Sequence, residues 1–82
     1  MKSDYKIIFN DNKTIELFCK ELFNEIKYYK TWFKTVDWHT RKNILYIYTG
    51  GYCSVINILY NLSYEYNVEI IKLKKINKYE KY

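Results

Sequence analysis

Two strand-like segments separated by three polar residues lie near the middle of this 82-residue chain, and they constrain its fold more than any other feature. Segment 31–40, TWFKTVDWHT, alternates in character, and a second apolar run, ILYIYT, begins at Ile44. Arg41 to Asn43 form a polar turn between them, so the two segments predict a β-hairpin. One face of the first strand carries Trp32, Val36 and Trp38, and the other carries Phe33, Thr35, Asp37 and His39.

Amphipathic helices are predicted on both sides of this hairpin. The first follows the turn-forming residues 10–12, and Asn12 or Thr14 can cap it. The second follows Gly50-Gly51 and ends at Asn67, a residue that tolerates the left-handed conformation. At helical spacing, the inward positions are Ile15, Phe18, Cys19, Leu22, Ile26 and Tyr29 in the first helix and Val55, Ile58, Leu59, Leu62 and Tyr66 in the second.

A short apolar strand precedes the first helix, at 5–9, and another follows the second helix, at 68–75. The resulting order β-α-β-β-α-β is typical of the ferredoxin-like α+β fold, a four-stranded antiparallel sheet with two helices on one face. We expect residues 1–75 to form a single domain and residues 76–82 to form a basic C-terminal tail. In this arrangement the first and third strands are central, and one face of the sheet stays open.

Aromatic side chains are expected on that uncovered face. The expected members are Ile44, Tyr46, Tyr48 and Phe33, joined by Tyr5, Ile7 and Phe9 if Ile8 points to the helices. Aromatic residues on the central strands of such a sheet stack bases in RNA-recognition modules. Segment 42–48, KNILYIY, lacks the glycine that those modules place before their aromatic residues. Two interpretations therefore stay open, namely stacking on bases and contact with a partner protein or second subunit.

Charge and composition point to the class of partner and to the source. The net charge is +5, and segment 72–82 alone contributes +4. A basic tail on a nearly neutral body favours a nucleic acid, with a solvated chain end as the alternative. The lysines of segment 72–82 that are expected to contact phosphates are Lys72, Lys74, Lys75 and Lys78. Asn, Lys, Ile and Tyr fill 43 positions, while Ala and Pro are absent. This composition indicates an AT-rich genome, such as that of a phage. Part of the abundance of Tyr and Lys is therefore a codon effect.

Enzymatic and metal chemistry find little support in the residue pattern. Cys53 lies at a helix start and His39 is the only histidine, so a Cys–His pair would need the two in contact. One histidine and two distant cysteines lack metal-ligand spacing, and we expect no cofactor. The cysteines are expected to be reduced thiols of an intracellular, cytoplasmic protein. No apolar run suits a membrane span, and no signal peptide precedes the first strand.

From Phe9 onward the chain resembles the second half of a LAGLIDADG homing-endonuclease domain. The shared pattern is a strand, a helix and a hairpin, then ILYIYTGG, a helix containing NILYNL and the lysine-rich close IKLKKINKY. The resemblance implies a sheet that lies in the DNA major groove. The defining helix of that family, with its metal-binding acidic residue, has no counterpart here, and LKK replaces the arginine-lysine pair near its close. The resemblance therefore implies a non-cleaving descendant at most and supplies no catalytic residues.

Several functions follow as hypotheses. The first is a non-enzymatic binding protein of a phage or mobile element that contacts nucleic acid or a nucleoprotein complex. Its contact residues would be Tyr5, Phe33, Tyr46 and Tyr48 together with the tail lysines. The second is an inhibitor that occludes a host defence complex, of the anti-CRISPR type. A small enzyme using Cys53 and His39 and a homodimeric structural subunit are the others, and no small-molecule substrate is expected.

Overall fold

The structure is a computed structural model that describes residues 3–27 and 36–73. Its elements are β1 (Tyr5–Ile8), α1 (Asn12–Ile26), β2 (Asp37–Arg41), β3 (Ile44–Tyr48), α2 (Cys53–Tyr66) and β4 (Glu69–Lys72). The strands form one antiparallel sheet in the order β2-β3-β1-β4, so β1 and β3 are central. The predicted ferredoxin-like α+β fold is confirmed.

The bounds of two strands differ from the sequence prediction. β4 begins at Glu69 and ends at Lys72, whereas the predicted strand covered 68–75. β2 begins at Asp37 and continues through Arg41, whereas the sequence predicts Arg41 in the turn. The turn begins at Lys42 instead, whose φ is 57°. The described ranges leave out residues 28–35 and 74–82. These residues include the first half of the predicted strand 31–40, the end of the predicted strand 68–75 and the whole tail 76–82.

Three aromatic rings determine which side of β1 faces the helices. Phe9 packs edge-on against Phe18 of α1, with ring centroids 5.1 Å apart and ring planes at 77°. Phe18 packs in the same way against Tyr66 of α2, at 5.5 Å. Tyr5 and Ile7, at the alternate positions of the strand, are buried together with Phe9. Tyr5, Ile7 and Phe9 therefore belong to the core.

The expectation that placed Tyr5, Ile7 and Phe9 on the uncovered face is wrong. It required Ile8 to point to the helices, and Lys6 would then have pointed there too. Burying an unpaired ammonium group costs far more than leaving Ile8 partly exposed. Tyr5 is instead 5% exposed and packs edge-on against Tyr60 at 6.0 Å. Burial raises the pKa of the Tyr5 hydroxyl.

The core lies between the sheet and the two helices, and the predicted inward faces are confirmed in the described ranges. Its buried apolar side chains are Tyr5, Ile7, Phe9, Ile15, Phe18, Leu22, Ile26, Leu45, Ile47, Val55, Leu59 and Leu62. Cys19, Trp38, Ile58 and Tyr66 are half-buried and pack against this cluster. Tyr29 lies outside the described residues. Neither α1 nor α2 is long and apolar enough to cross a lipid bilayer.

The ends of the helices follow local chemistry. Asp11 caps α1, because its carboxylate accepts hydrogen bonds from the Thr14 N–H at 2.7 Å and from the Thr14 hydroxyl at 2.8 Å. The prediction of Asn12 or Thr14 as the cap is therefore wrong, and Thr14 is the donor three residues further on. α2 ends at Asn67, whose φ of 52° and ψ of 49° confirm the predicted left-handed stop.

A buried carboxylate contact joins the start of β1 to the end of β3. Asp4 accepts hydrogen bonds from the N–H and the hydroxyl of Thr49, a residue with no exposed surface. The Thr49 hydroxyl oxygen in turn accepts from the Gly51 N–H at 3.1 Å. Gly50 and Gly51 have φ values of 70° and 78°, a conformation that glycine adopts without steric cost. The Gly-Gly pair is therefore a turn that this contact supports.

Replacing Asp4 by alanine tests the Asp4–Thr49 contact. The change leaves the buried N–H and hydroxyl of Thr49 without their acceptor, and we expect the free energy of unfolding in urea to fall by about 1–3 kcal/mol. Asp37→Ala is the control, because its carboxylate accepts from the Trp38 N–H at an exposed position and has no further hydrogen bond within residues 3–27 and 36–73. We expect that change to cost at most about 0.5 kcal/mol. Equal losses for the two variants would contradict the argument.

The α1 cap predicts a specific dependence of stability on pH. Two hydrogen bonds lower the pKa of the Asp11 carboxyl group below its ordinary 3.8. The larger effect comes from the Thr14 N–H and the smaller from the Thr14 hydroxyl. The stabilisation is therefore complete above pH 3.8 and is lost as the pH falls through the lower folded-state pKa. Asp11→Asn keeps an acceptor that does not titrate.

Urea unfolding of the wild type and of Asp11→Asn between about pH 2 and pH 7 measures this effect. The stability advantage of the wild type should be constant near neutral pH and should shrink in the acidic range. A difference that does not change with pH would show that the charge of Asp11 has no part in capping.

Candidate functional site

The side of the sheet that faces away from α1 and α2 is the candidate site. Directly paired residues of an antiparallel sheet point to the same side, so the register assigns each side chain to a face. Leu45 and Ile47 are buried against the helices, as predicted, and the residues that alternate with them point away. We call this side the open face. It carries Lys6, Ile8, Asp37, His39, Arg41, Ile44, Tyr46, Tyr48, Glu69 and Ile71.

Two rows of side chains cross all four strands of the open face. In sheet order the first row is His39, Tyr46, Lys6 and Ile71, and the second row is Arg41, Ile44, Ile8 and Glu69. In the first row the His39 and Tyr46 rings are nearly parallel, at 13°, with centroids 5.2 Å apart. The second row has two isoleucines over the central strands and opposite charges over the edge strands. The open face is therefore apolar at its centre and charged at its rim along this row.

The open face is partly exposed and electrically balanced. Ile8, Ile44, Tyr46, Tyr48 and Ile71 are half-buried. Among the described residues, two basic and two acidic side chains accompany them, so the described part of the open face has a net charge of zero with a neutral histidine. Ranges 3–27 and 36–73 together hold seven basic and eight acidic residues. The positive surplus of the chain therefore comes from the remaining segments and not from the described sheet or helices.

The sequence-predicted contact residues divide into three groups. Tyr46 and Tyr48 lie on the open face, as predicted. Tyr5 and Lys72 do not. They pair with each other, so Lys72 shares the helix side of the sheet with Tyr5 and is exposed at its edge. The others, Phe33, Lys74, Lys75 and Lys78, lie outside the described residues.

Sequence reasoning missed five members of the open face, namely Lys6, Ile8, Arg41, Glu69 and Ile71. The available signal was Lys6, the only charged residue in β1, since an ammonium group marks the solvent side of a central strand. Once Lys6 is assigned to the open face, Ile8 follows by alternation. Arg41 needed the observed bounds of β2, because the sequence placed it in the turn. Glu69 and Ile71 needed the observed register between β1 and β4.

The candidate Cys–His pair is not formed. His39 lies on the open face against Tyr46, whereas Cys53 begins α2 on the opposite side of the sheet. Within the two described ranges, no group of three His, Cys, Asp or Glu side chains is placed to hold a metal ion.

A groove of about 300 Å³ lies between the helices, lined by Glu25, Ile58, Asn61, Leu62 and Glu65. Both carboxylates are exposed to water. Among its described lining residues there is no thiol, hydroxyl or imidazole that would act as a nucleophile beside them. It is therefore a weaker candidate for function than the open face.

Comparisons with protein-family models, with curated proteins and with solved structures give no significant match. The resemblance to the second half of a LAGLIDADG domain stays a prediction. The function must therefore be argued from the open face itself.

The two free thiols should differ in reactivity. Cys53 is exposed, whereas Cys19 is half-buried and burial raises the pKa of its thiol. Because the thiolate is the reactive form, a chromogenic disulfide reagent at neutral pH should modify Cys53 first. Cys53→Ser should remove the fast phase and Cys19→Ser the slow phase. Two equal rates in the wild type would contradict the difference in environment.

Proposed function

We propose that this chain is a non-enzymatic binding protein that contacts a protein surface through the open face. The row Arg41, Ile44, Ile8 and Glu69 carries this proposal, because it places apolar side chains between opposite charges. Protein–protein interfaces have an apolar centre and a polar rim. The row has that distribution within a single sheet face.

The partly buried apolar side chains supply the free energy for such contact. Ile8, Ile44, Ile71, Tyr46 and Tyr48 each retain some exposure, and covering them contributes about 25 cal/mol per Å² of apolar surface removed from water. Tyrosine and arginine are also enriched among the residues that dominate binding free energy. An inhibitor that occludes a host defence complex would be one protein of this class.

Direct binding of single-stranded nucleic acid is the second candidate. The parallel rings of His39 and Tyr46 beside Lys6 favour it, because a base stacked on an aromatic side chain contributes about 1–3 kcal/mol. The lysines of segment 72–82 would add phosphate contacts. This candidate ranks second because an electrically balanced face attracts a polyanion less than a basic one.

Matched tyrosine variants test the proposed contact surface. We expect the tagged protein to capture a protein partner from an extract of its native host cells, and nuclease treatment should not release that partner. Tyr46→Ala should weaken binding of the purified partner by about 2 kcal/mol, or roughly 30-fold. Tyr64→Ala is the control, since Tyr64 is 87% exposed on α2 and lies away from the open face.

Two results would contradict the proposal. Loss of binding in Tyr64→Ala but not in Tyr46→Ala would assign the contact to α2. Release by nuclease, with an affinity that falls steeply as salt rises, would favour the nucleic-acid candidate.

A further inference from the structure

We infer that the open face binds a second copy of this chain, face to face, about a two-fold axis that runs parallel to the strands between β3 and β1. This inference rests on the proposed function, because it names the partner of the same surface. It is carried by the order of charged and apolar residues in the two rows.

The symmetry fixes which strands meet. Rotation about that axis reverses the strand order, so β2 of one copy lies over β4 of the second copy and β3 lies over β1. Each row then lies over the same row of the second copy, read in the opposite direction. Such an interface is self-complementary, and every contact occurs twice.

The second row matches itself under this rotation. Arg41 lies over Glu69 of the second copy, and Ile44 lies over Ile8 of the second copy. Arginine and carboxylate form charge-assisted hydrogen bonds, and the four isoleucines form a continuous apolar centre. Both edges of the interface therefore carry opposite charges, and no like charges meet along this row.

The first row is also compatible with the rotation. Tyr46 lies over Lys6 of the second copy, and His39 lies over Ile71. The Tyr46 ring stacks on its sheet neighbour His39, so its edge and hydroxyl face the second copy, and the hydroxyl oxygen can accept a hydrogen bond from the Lys6 ammonium group. The methylene groups of Lys6 cover apolar surface while its charge stays at that hydroxyl. Lys6, the one cation at the centre of the open face, thus gains a partner.

A two-fold axis that also lies in the plane of the interface but runs perpendicular to the strands fits less well. It places each strand over itself, and an axis through the first row brings the two Lys6 ammonium groups together. An axis between the rows sets Lys6 over Ile8 and Arg41 over His39. Neither choice pairs Arg41 with Glu69. The charge pattern therefore selects the axis parallel to the strands.

The twist of the sheets agrees with the positions of the long side chains. Packed sheets cross at about 30°, and the edge strands lie about 7 Å from the axis. Facing positions on the edge strands are then displaced by about 4 Å, whereas those on the central strands are displaced by only about 1 Å. Arg41 and Glu69 have the reach for the larger displacement, and the shorter isoleucines lie where the displacement is small.

The size of the open face sets the expected strength. Four strands of about five residues cover a footprint of about 300 Å², well below the roughly 800 Å² per partner of a standard stable complex. We therefore expect a weak, concentration-dependent dimer. Its association should be visible at concentrations of tens to hundreds of micromolar.

Charge exchange at the two edges tests the pairing. Sedimentation equilibrium of the full chain should show the wild type self-associating between about 10 μM and 1 mM. Arg41→Glu and Glu69→Arg should each weaken association at least about tenfold, because each creates two like-charge contacts. The double variant exchanges both partners of every contact and should restore association to near the wild-type level.

Control variants separate this effect from a change in net charge. Lys20→Glu and Glu16→Arg make the same charge changes at exposed positions of α1, away from the open face. They should associate like the wild type. Circular dichroism of all variants should be unchanged, since Arg41 and Glu69 are exposed on edge strands.

The outcomes distinguish the inference from the proposed function. The second-copy inference is overturned if the wild type stays monomeric over the whole concentration range. It is also overturned if the single changes do not weaken association, or if the double variant associates as weakly as the single variants. If the chain is monomeric while Tyr46→Ala still loses capture of a different protein, the proposed function stands and only the inference fails. If neither association nor capture responds to changes on the open face, both fail.

Discussion

The edge-on packing of Phe9 on Phe18, and of Phe18 on Tyr66, is the constraint on which the rest of the structure depends. It joins the end of β1 to both helices and so determines the facing of that central strand. Because side chains alternate along a strand, turning β1 over would move each of its core residues to the surface and each of its surface residues to the core. With Phe9 inward, Tyr5 and Ile7 fill the core and Lys6 and Ile8 go to the opposite side. The composition of the open face follows from that choice.

The open face that results is suited to a different kind of partner from the one that the overall charge indicates. A net charge of +5 favours a polyanion, yet the described sheet and helices have slightly more acidic than basic residues. On the open face the charges lie mainly at the edges, with isoleucine and tyrosine between them. Under the proposed function, apolar contact with a protein is a property of the described sheet, whereas the positive charge that would attract a nucleic acid lies in the other segments.

Most of the fold was predictable because its elements are amphipathic over their whole length. α1 and α2 repeat their apolar residues at helical spacing, and in β3 the aliphatic Leu45 and Ile47 alternate with Tyr46 and Tyr48, so Leu45 and Ile47 were assigned correctly. β1 was assigned wrongly because Ile7 and Ile8 are equally apolar, and the prediction gave no weight to Lys6, the one residue that marks the solvent side. The predicted α1 cap was wrong by one position for Asn12 and by three for Thr14, since Asp11, Asn12 and Thr14 are all competent acceptors. Tyr46 and Tyr48 were placed correctly, and the charged rim around them was not.

The sequence by itself determined the order of the elements, the left-handed stop at Asn67 and the inward face of each helix, because these depend on neighbours within a few residues. Only the tertiary structure decided that Arg41, Ile44, Ile8 and Glu69 share one row. That row joins strands distant in the chain, and its alignment comes from hydrogen bonds between strands and from burial against the helices. Local pattern carries no information about that register, since shifting one strand by two residues preserves the alternation and changes every neighbour across the sheet.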